Sequence, residues 1–182
     1  PLIGCCALSA NALTTAQGSV YLVNCFLALQ VLLQRFDFCA WRLEKIHSQL
    51  ATALEQAVRE QIIAIMRTCN LDDKMYTLRS WKTSAPGEGL ANMTGMDAMS
   101  VSVALKQFYG VVLTSAIDYK FVDRINNSSV RAQARSQVAT GVAASYTQLH
   151  DAILSKEAGY RDPQTLLLHS AQQIESLLLG SL

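Results

Sequence analysis

Charge is scarce in this sequence. Of its 182 residues only 16% are Asp, Glu, Lys or Arg, while 51% are hydrophobic; an ordinary soluble domain carries about 25% charged residues. So little charge cannot cover a whole surface in the usual way, and part of the apolar excess is expected to be covered by a partner. The 15 basic and 14 acidic residues leave a net charge of +1, which supplies no long-range attraction to nucleic acid or anionic lipid. Clustered cysteine is absent too. Cys5, Cys6, Cys25, Cys39 and Cys69 are odd in number and no two stand in CxxC spacing, so neither a zinc site nor a disulfide framework is indicated. Cys25, Cys39 and Cys69 fall within apolar helical patterns and read as reduced, buried thiols of a reducing compartment. No metal and no cofactor are expected.

A hydrophobic run long enough to cross a membrane is also missing. The longest, Val20 to Leu33, has 14 residues and contains Asn24 and Gln30. A span needs about 20, so no transmembrane segment is expected and the run reads as a buried helix. The first residue is Pro1 rather than methionine. The expectation is an excerpt of a longer chain, with room for a targeting signal upstream.

Catalytic signatures are equally thin. Gly87-Glu88-Gly89 is two glycines in a loop, not a phosphate-binding GxGxxG after a strand, and no GxSxG elbow occurs. His47, His150 and His169 lie on three different elements. Asp151 adjoins His150, but helical neighbours diverge by about 100°. Glu44, Glu55, Glu60 and Asp72-Asp73 spread along a solvent side, whereas acid/base carboxylates must converge on a cleft. Arg124, Arg131 and Arg135 form a stripe too sparse for a nucleic-acid groove, which usually adds stacking aromatics. The sequons at Asn92, Asn126 and Asn127 matter only in a secretory lumen, and are read as incidental. No catalytic residue is assigned; the chain reads as a scaffold rather than an enzyme.

What the sequence does have is helical periodicity. Residues 1–18 are small and weakly patterned and read as an irregular segment or a truncated helix end; from Ser19, a candidate N-cap, VYLVNCFLALQVLLQRF is apolar nearly all round, as in a central bundle helix. Leu43, Ile46, Leu50, Leu54, Val58, Ile62, Ile65 and Cys69 then recur at steps of three and four, one stripe of a long helix, with Glu55 and Arg59 paired on its polar side. The pattern breaks from Asp72 to Asp97, with a long loop at about 80–97 and Trp81 pinning a short helix before it. Asp97 caps a third helix carrying Val101, Leu105, Phe108 and Val112, and a short helix is expected at Tyr119 to Ile125. The cluster Asn126 to Ser129 opens the clearest helix, with Val130, Ala134, Val138, Val142, Leu149 and Ile153 on one face and Tyr146 beside them. Asp162-Pro163 reads as a cap and first-turn proline, and Ser170 with Gln173 as a capping box. No convincing strand alternation appears. The expected fold is all-α, an antiparallel helical bundle or stacked helical rod over residues 19–182. Leu166, Leu167, Ile174 and Leu178 on the tail are candidates for a partner-facing strip, since an amphipathic helix in a groove is a standard recognition mode.

The order of residues adds a resemblance. Asn24-Cys25 within an apolar helix, the aromatic turn Arg35 to Phe38, and Arg42-Leu43-Glu44 opening a long helix resemble the C-terminal region of the sixth subunit of the conserved oligomeric Golgi (COG) complex. So do Leu90 to Asp97 (LANMTGMD), Gln107-Phe108, and the ending Tyr160 to Leu179 (YRDPQTLLLHSAQQIESLLL). Four positions depart from the family pattern. Thr94 and Ala171 stand where proline is expected, Tyr109 where aspartate is expected, and Ser170 directly follows His169 without an intervening arginine. The resemblance runs from about Val20 to the end and rests on order and spacing rather than on one motif.

The resemblance implies a helical-rod subunit of a vesicle-tethering complex, peripheral on the cytoplasmic face of the Golgi membrane. It implies a role in retrograde intra-Golgi transport and Golgi organisation through protein binding. The partners it implies are other COG subunits in a hetero-oligomer, foremost the fifth, seventh and eighth, with SNARE and Rab proteins as further candidates. The competing readings are a subunit of another helical-rod tethering complex, a membrane-active bundle that inserts Val20 to Leu33, and a hydrolase or transferase with an unrecognised site.

Overall fold

A computed structural model describes residues 2–83 and 89–180. Among them are eight α-helices, four 3-10 turns and no strand: α1 Leu2–Ala10, α2 Thr15–Leu33, α3 Ala40–Thr68, α4 Asp72–Thr83, α5 Ala98–Leu113, α6 Ser128–Leu154, α7 Pro163–Leu166 and α8 Ala171–Gly180. The all-α bundle expected from the periodicity is the fold observed. Gly87 and Glu88 of the glycine pair lie outside the described residues. The chain packs as two compact units, one of Pro1–Ile62 with Tyr119–Val138 and one of Ile63–Asp118 with Ala139–Leu182.

In the first unit, α1 and α2 pack together. Residues 1–18 thus hold a helix and the start of the next. Thr14, not Ser19, caps α2, its hydroxyl accepting from the Gln17 N–H at 3.3 Å. Ser19 sits one turn inside, buried, with its hydroxyl donating to the Ala16 carbonyl at 3.0 Å. The earlier start leaves no mark in the sequence, because Ala16, Gln17 and Gly18 carry no large apolar side chain to show a helix face. Gly18 has a packing reason: a Cβ there would stand 3.0 Å from the Ala10 main-chain oxygen, so any larger residue would push the two helices apart by a few tenths of an ångström.

α2 is 19 residues long and, by length and composition, apolar enough to cross a membrane. That corrects the 14-residue count on which the expected absence of a span rested. Its surroundings are those of a packed helix along one side. Val20, Val23 and Phe26 are buried, while Val31 and Leu32 near its end are exposed. Asn24 uses both ends of its amide within the unit, donating to the Arg124 carbonyl and accepting from the Asn126 N–H, each at 2.9 Å. α2 is therefore one-sided rather than buried all round.

On α3, the stripe buries Ile46, Leu54 and Val58 in this unit, joined by Ala53 and Ala57. Gln61 is fully buried among them, and its side-chain oxygen accepts from the N–H groups of Phe121 and Val122 at 2.8 and 3.4 Å. Those bonds hold a single 3-10 turn, Val122–Arg124, where a short helix was expected. Asp123 on that turn takes a two-point ion pair from Arg135, at 2.7 and 2.8 Å, and the same guanidinium lies over the Tyr119 ring. Asn127 caps α6, its side chain accepting from the Val130 N–H at 3.0 Å.

The second unit is built on α5 and the end of α6. Val101, Leu105, Phe108 and Val112 are buried as their spacing requires, and so are Val142, Tyr146, Leu149 and Ile153. Asp97 caps α5 through the Ser100 N–H at 3.0 Å, and its bonds to Ser100 hold its carboxyl below the usual carboxylate range. The short helix expected before the loop, with Trp81 near its end, is α4, which runs for 12 residues with Met75 and Leu78 buried. The described part of the loop is ordered: Leu90 and Met96 are fully buried, and Gly89 stands against the Ala158 backbone, where a Cβ would meet its oxygen at 3.2 Å. At the tail, the Ser170–Gln173 capping box is formed in both directions, at 2.9 and 3.2 Å. Pro163 opens α7 as expected, but Asp162 makes no side-chain cap, since its φ of −130° and ψ of 73° fall outside cap geometry.

Candidate interaction surface

An apolar groove of about 830 Å³ opens in the first unit. Leu2, Ile3 and Gly4 of α1 form one wall; Leu29, Leu32 and Leu33 of α2 and Trp41 and Ile46 of α3 form the rest, with Arg42 and Lys45 as its charged lining. The sequence produces it locally. α2 ends at Leu33, the 3-10 turn Asp37–Cys39 reverses the chain, and α3 starts at Ala40. Only Cys39 of that turn is buried, which leaves Phe36 and Phe38 outside, 50% and 77% exposed, with ring centres 5.6 Å apart. Trp41 is 64% exposed and the Arg42 guanidinium stands 5.1 Å from its ring centre, a cation–π contact that keeps both at the rim. Contiguous exposed apolar surface of this kind marks an interaction site more often than scattered single residues do.

α1 forms a wall of the groove although it has no charged residue and buries only Ala10. Beyond the Gly18 contact, Cys6 of α1 lies beside Cys25 of α2. Burial, then the neighbouring Cys25, pushes the Cys6 thiol up from its ordinary range. Elsewhere burial pushes Cys69 up to about 11, which keeps that thiol protonated and unreactive.

The tail residues expected to face a partner are placed differently. Leu166, Ile174 and Leu178 are buried in the second unit, against α5, and Leu167 is half-buried. The periodicity found the right face of α8, but that face is turned inward because α5 offers an apolar surface of its own. The outward residues are Leu168, Leu177 and Leu179.

Beneath the tail lies an aromatic network. The Tyr146 hydroxyl donates to the His169 carbonyl at 2.5 Å and shares a 2.9 Å hydrogen bond with the Tyr109 hydroxyl; Phe108 stacks on the Tyr146 ring at 5.3 Å, and the His169 ring meets Tyr109 edge-on at 4.9 Å. Burial raises both phenols, Tyr146 far above its ordinary range. The network fastens the tail; neither hydroxyl is prepared as a base. Tyr109, the departure from the family's expected aspartate, is part of it.

His150 and Asp151 do meet, Nδ1 to Oδ1 at 3.1 Å, despite adjoining on the helix. Asp151 is largely in solvent and His150 leans on the Tyr146 ring, 5.8 Å between centres. His47 is exposed and His169 serves the tail. A smaller cleft of about 340 Å³ is lined by Tyr160, Arg161, Asp162 and Thr165 among others. Among the described residues no group of three metal-ligating side chains comes together.

Helices throughout, polar side chains spent on helix ends and turns, and an open apolar groove define the class: an all-α bundle whose prominent surface is apolar. Residues 1–178 match the family model described as Conserved Oligomeric Golgi complex subunit 6, C-terminal, and the chain belongs to that family. Among its relatives, Conserved oligomeric Golgi complex subunit 6 of Homo sapiens is 29% identical over 182 residues, covering 98% of this chain and 27% of the relative. The Rattus norvegicus protein of the same name is 28% identical with the same coverage, and that of Arabidopsis thaliana 28% identical over 159 residues, 87% of this chain and 23% of its own length. The chain thus spans 27% or less of the length of these relatives. No solved structure matches.

The family resemblance read from the sequence is confirmed, and its quoted residues are fold ties. Asn24 anchors the turn before α6. Gln107 donates to the Thr68 carbonyl at 2.8 Å and accepts from Asn70, which sits at φ 54° just after α3. Phe108 stacks on Tyr146, and Tyr160 bonds Met96.

Proposed function

We propose that this chain is the C-terminal helical region of a vesicle-tethering subunit, which acts at the Golgi by binding other proteins and has no catalytic step of its own. The observation that carries this reading is the family match across residues 1–178. The open groove and the spending of polar side chains on fold ties agree with it. On this reading the full polypeptide assembles with other subunits of the conserved oligomeric Golgi complex, the fifth, seventh and eighth foremost, and meets SNARE and Rab proteins. It resides on the cytoplasmic face of the Golgi membrane and serves retrograde traffic within that organelle.

The test is recovery of the full-length protein from cells with its bound proteins identified by mass spectrometry. The other complex subunits are expected in the eluate, and their absence would sink the proposal. The length and composition of α2 favour one rival, a membrane-active bundle. Flotation of the purified protein with liposomes separates the two, since a tethering subunit without its partners stays with the unbound fraction.

A further inference from the structure

We propose that the groove between α1, α2 and α3 is an intramolecular docking site, filled in the full-length polypeptide by an amphipathic helix from its N-terminal portion. The proposal rests on family membership and on the groove, and does not require the tethering role.

The groove walls are side chains that gain by being covered. Leu2 is 66% exposed, Leu32 55% and Trp41 64%. A helix like α1, with no charged residue and a single buried one, has no polar face to turn to water; helices apolar all round are interior elements. The surface that wants cover is the one where Leu2 and Ile3 line the concavity together with Leu29, Leu32 and Leu33 of α2.

The chemistry of the lining describes the occupant. Leucine, isoleucine and indole surfaces accept an apolar stripe at helical spacing. Among the described residues the charged groups in the lining are Arg42 and Lys45, so the helix carries carboxylates along the edge that meets them. Its source follows from length. The matched family region is the C-terminal one, and it makes up 27% of the human relative. Most of such a polypeptide is therefore N-terminal to this region and covalently joined to it. A tethered helix that can reach the groove meets it intramolecularly, at an effective concentration that does not fall on dilution, an advantage a diffusing partner lacks.

The experiment uses the full-length polypeptide, purified alone. A photoreactive benzoylphenylalanine replaces Leu32, and crosslinked peptides are identified by mass spectrometry after irradiation. The expected product joins position 32 to an apolar, acid-edged segment N-terminal of residue 1 within one polypeptide, at a yield unchanged by about tenfold dilution. Charge reversal by Arg42→Glu with Lys45→Glu is expected to lower that yield severalfold. The unmodified protein gives a second readout: the emission difference between it and the Trp41→Phe variant reports a water-shielded indole. The proposal is overturned if the crosslinks join separate copies and fade on dilution, if they form only when another protein is added, or if Trp41 emits as a water-exposed indole.

Discussion

The Tyr160 hydroxyl donates to the carbonyl of Met96 at 2.6 Å, a bond between the tail and the loop before α5. Met96 is fully buried, so its carbonyl has no water to fall back on. Tyr160→Phe keeps the ring and removes the donor. An unpaired buried carbonyl costs about 1–3 kcal/mol, and the midpoint of urea unfolding should fall without a change in its slope. An unchanged midpoint would show that the loop is held by Leu90 and Met96 packing alone.

Alkaline pH tests the same side chain from another direction. Burial, and then the charge of Asp97, pushes the Tyr160 phenol up to about 12. Unfolded, it would titrate near about 10. The folded state therefore holds the proton more tightly. The resulting stability is fully present below about pH 10 and is lost as pH rises toward 12. Tyr109 and Tyr146, raised mainly by burial, act with the same sign. Unfolding midpoints measured across this window should fall steeply, and less steeply in Tyr160→Phe.

Asn24 distinguishes a packed helix from a membrane span. Its amide satisfies the Arg124 carbonyl and the Asn126 N–H at the turn that leads into α6. Asn24→Leu raises the apolar character of α2 and leaves both main-chain groups without that partner. In a packed helix the substitution should lower stability by about 1–3 kcal/mol, read by thermal unfolding in water. A variant of equal or greater stability would count against the packed role and revive the membrane reading.

The helix-to-helix contact at Gly18 predicts a local effect. A valine there adds two methyls beyond a Cβ that already meets the Ala10 oxygen at 3.0 Å. Gly18→Val should cost about 1–3 kcal/mol through overpacking, and hydrogen exchange should show α1 released while α5 and α6 keep their protection. Gly4→Ala is the control, because nothing lies within 4 Å of a Cβ at that position.

The contrast between these residues explains what could be read from the sequence. Stripes such as Leu54, Val58 and Ile65, or Val138, Val142 and Leu149, are buried where their spacing puts them, because a helix face needs only one periodic set of apolar side chains to declare itself. Capping declared itself where short polar residues preceded a periodic run, at Asp97 and Ser170. Gln61 and Gly18 were not legible. Their roles depend on what faces them, the N–H groups of Phe121 and Val122 in one case and Ala10 in the other, and periodicity says nothing about facing elements. The groove was illegible for the same reason: the apolar run of α2 reads alike whether its last turns are covered or open.

The tail shows how far that ambiguity reaches, and it can be tested by a pair of neighbours. Leu177 and Leu178 are adjacent leucines that sequence alone cannot rank. Leu178 is 0% exposed and Leu177 38% exposed. α8 packs on α5, so Leu178→Ala opens a cavity and should cost about 2–5 kcal/mol, whereas Leu177→Ala should stay within about 0.5 kcal/mol of the parent. If the tail strip met only a partner, the isolated protein would tolerate both substitutions equally and the loss would appear only in binding. Calorimetry of the two variants decides between these cases, and a stable Leu178→Ala protein would mean that α8 is not seated on α5 as the structure places it.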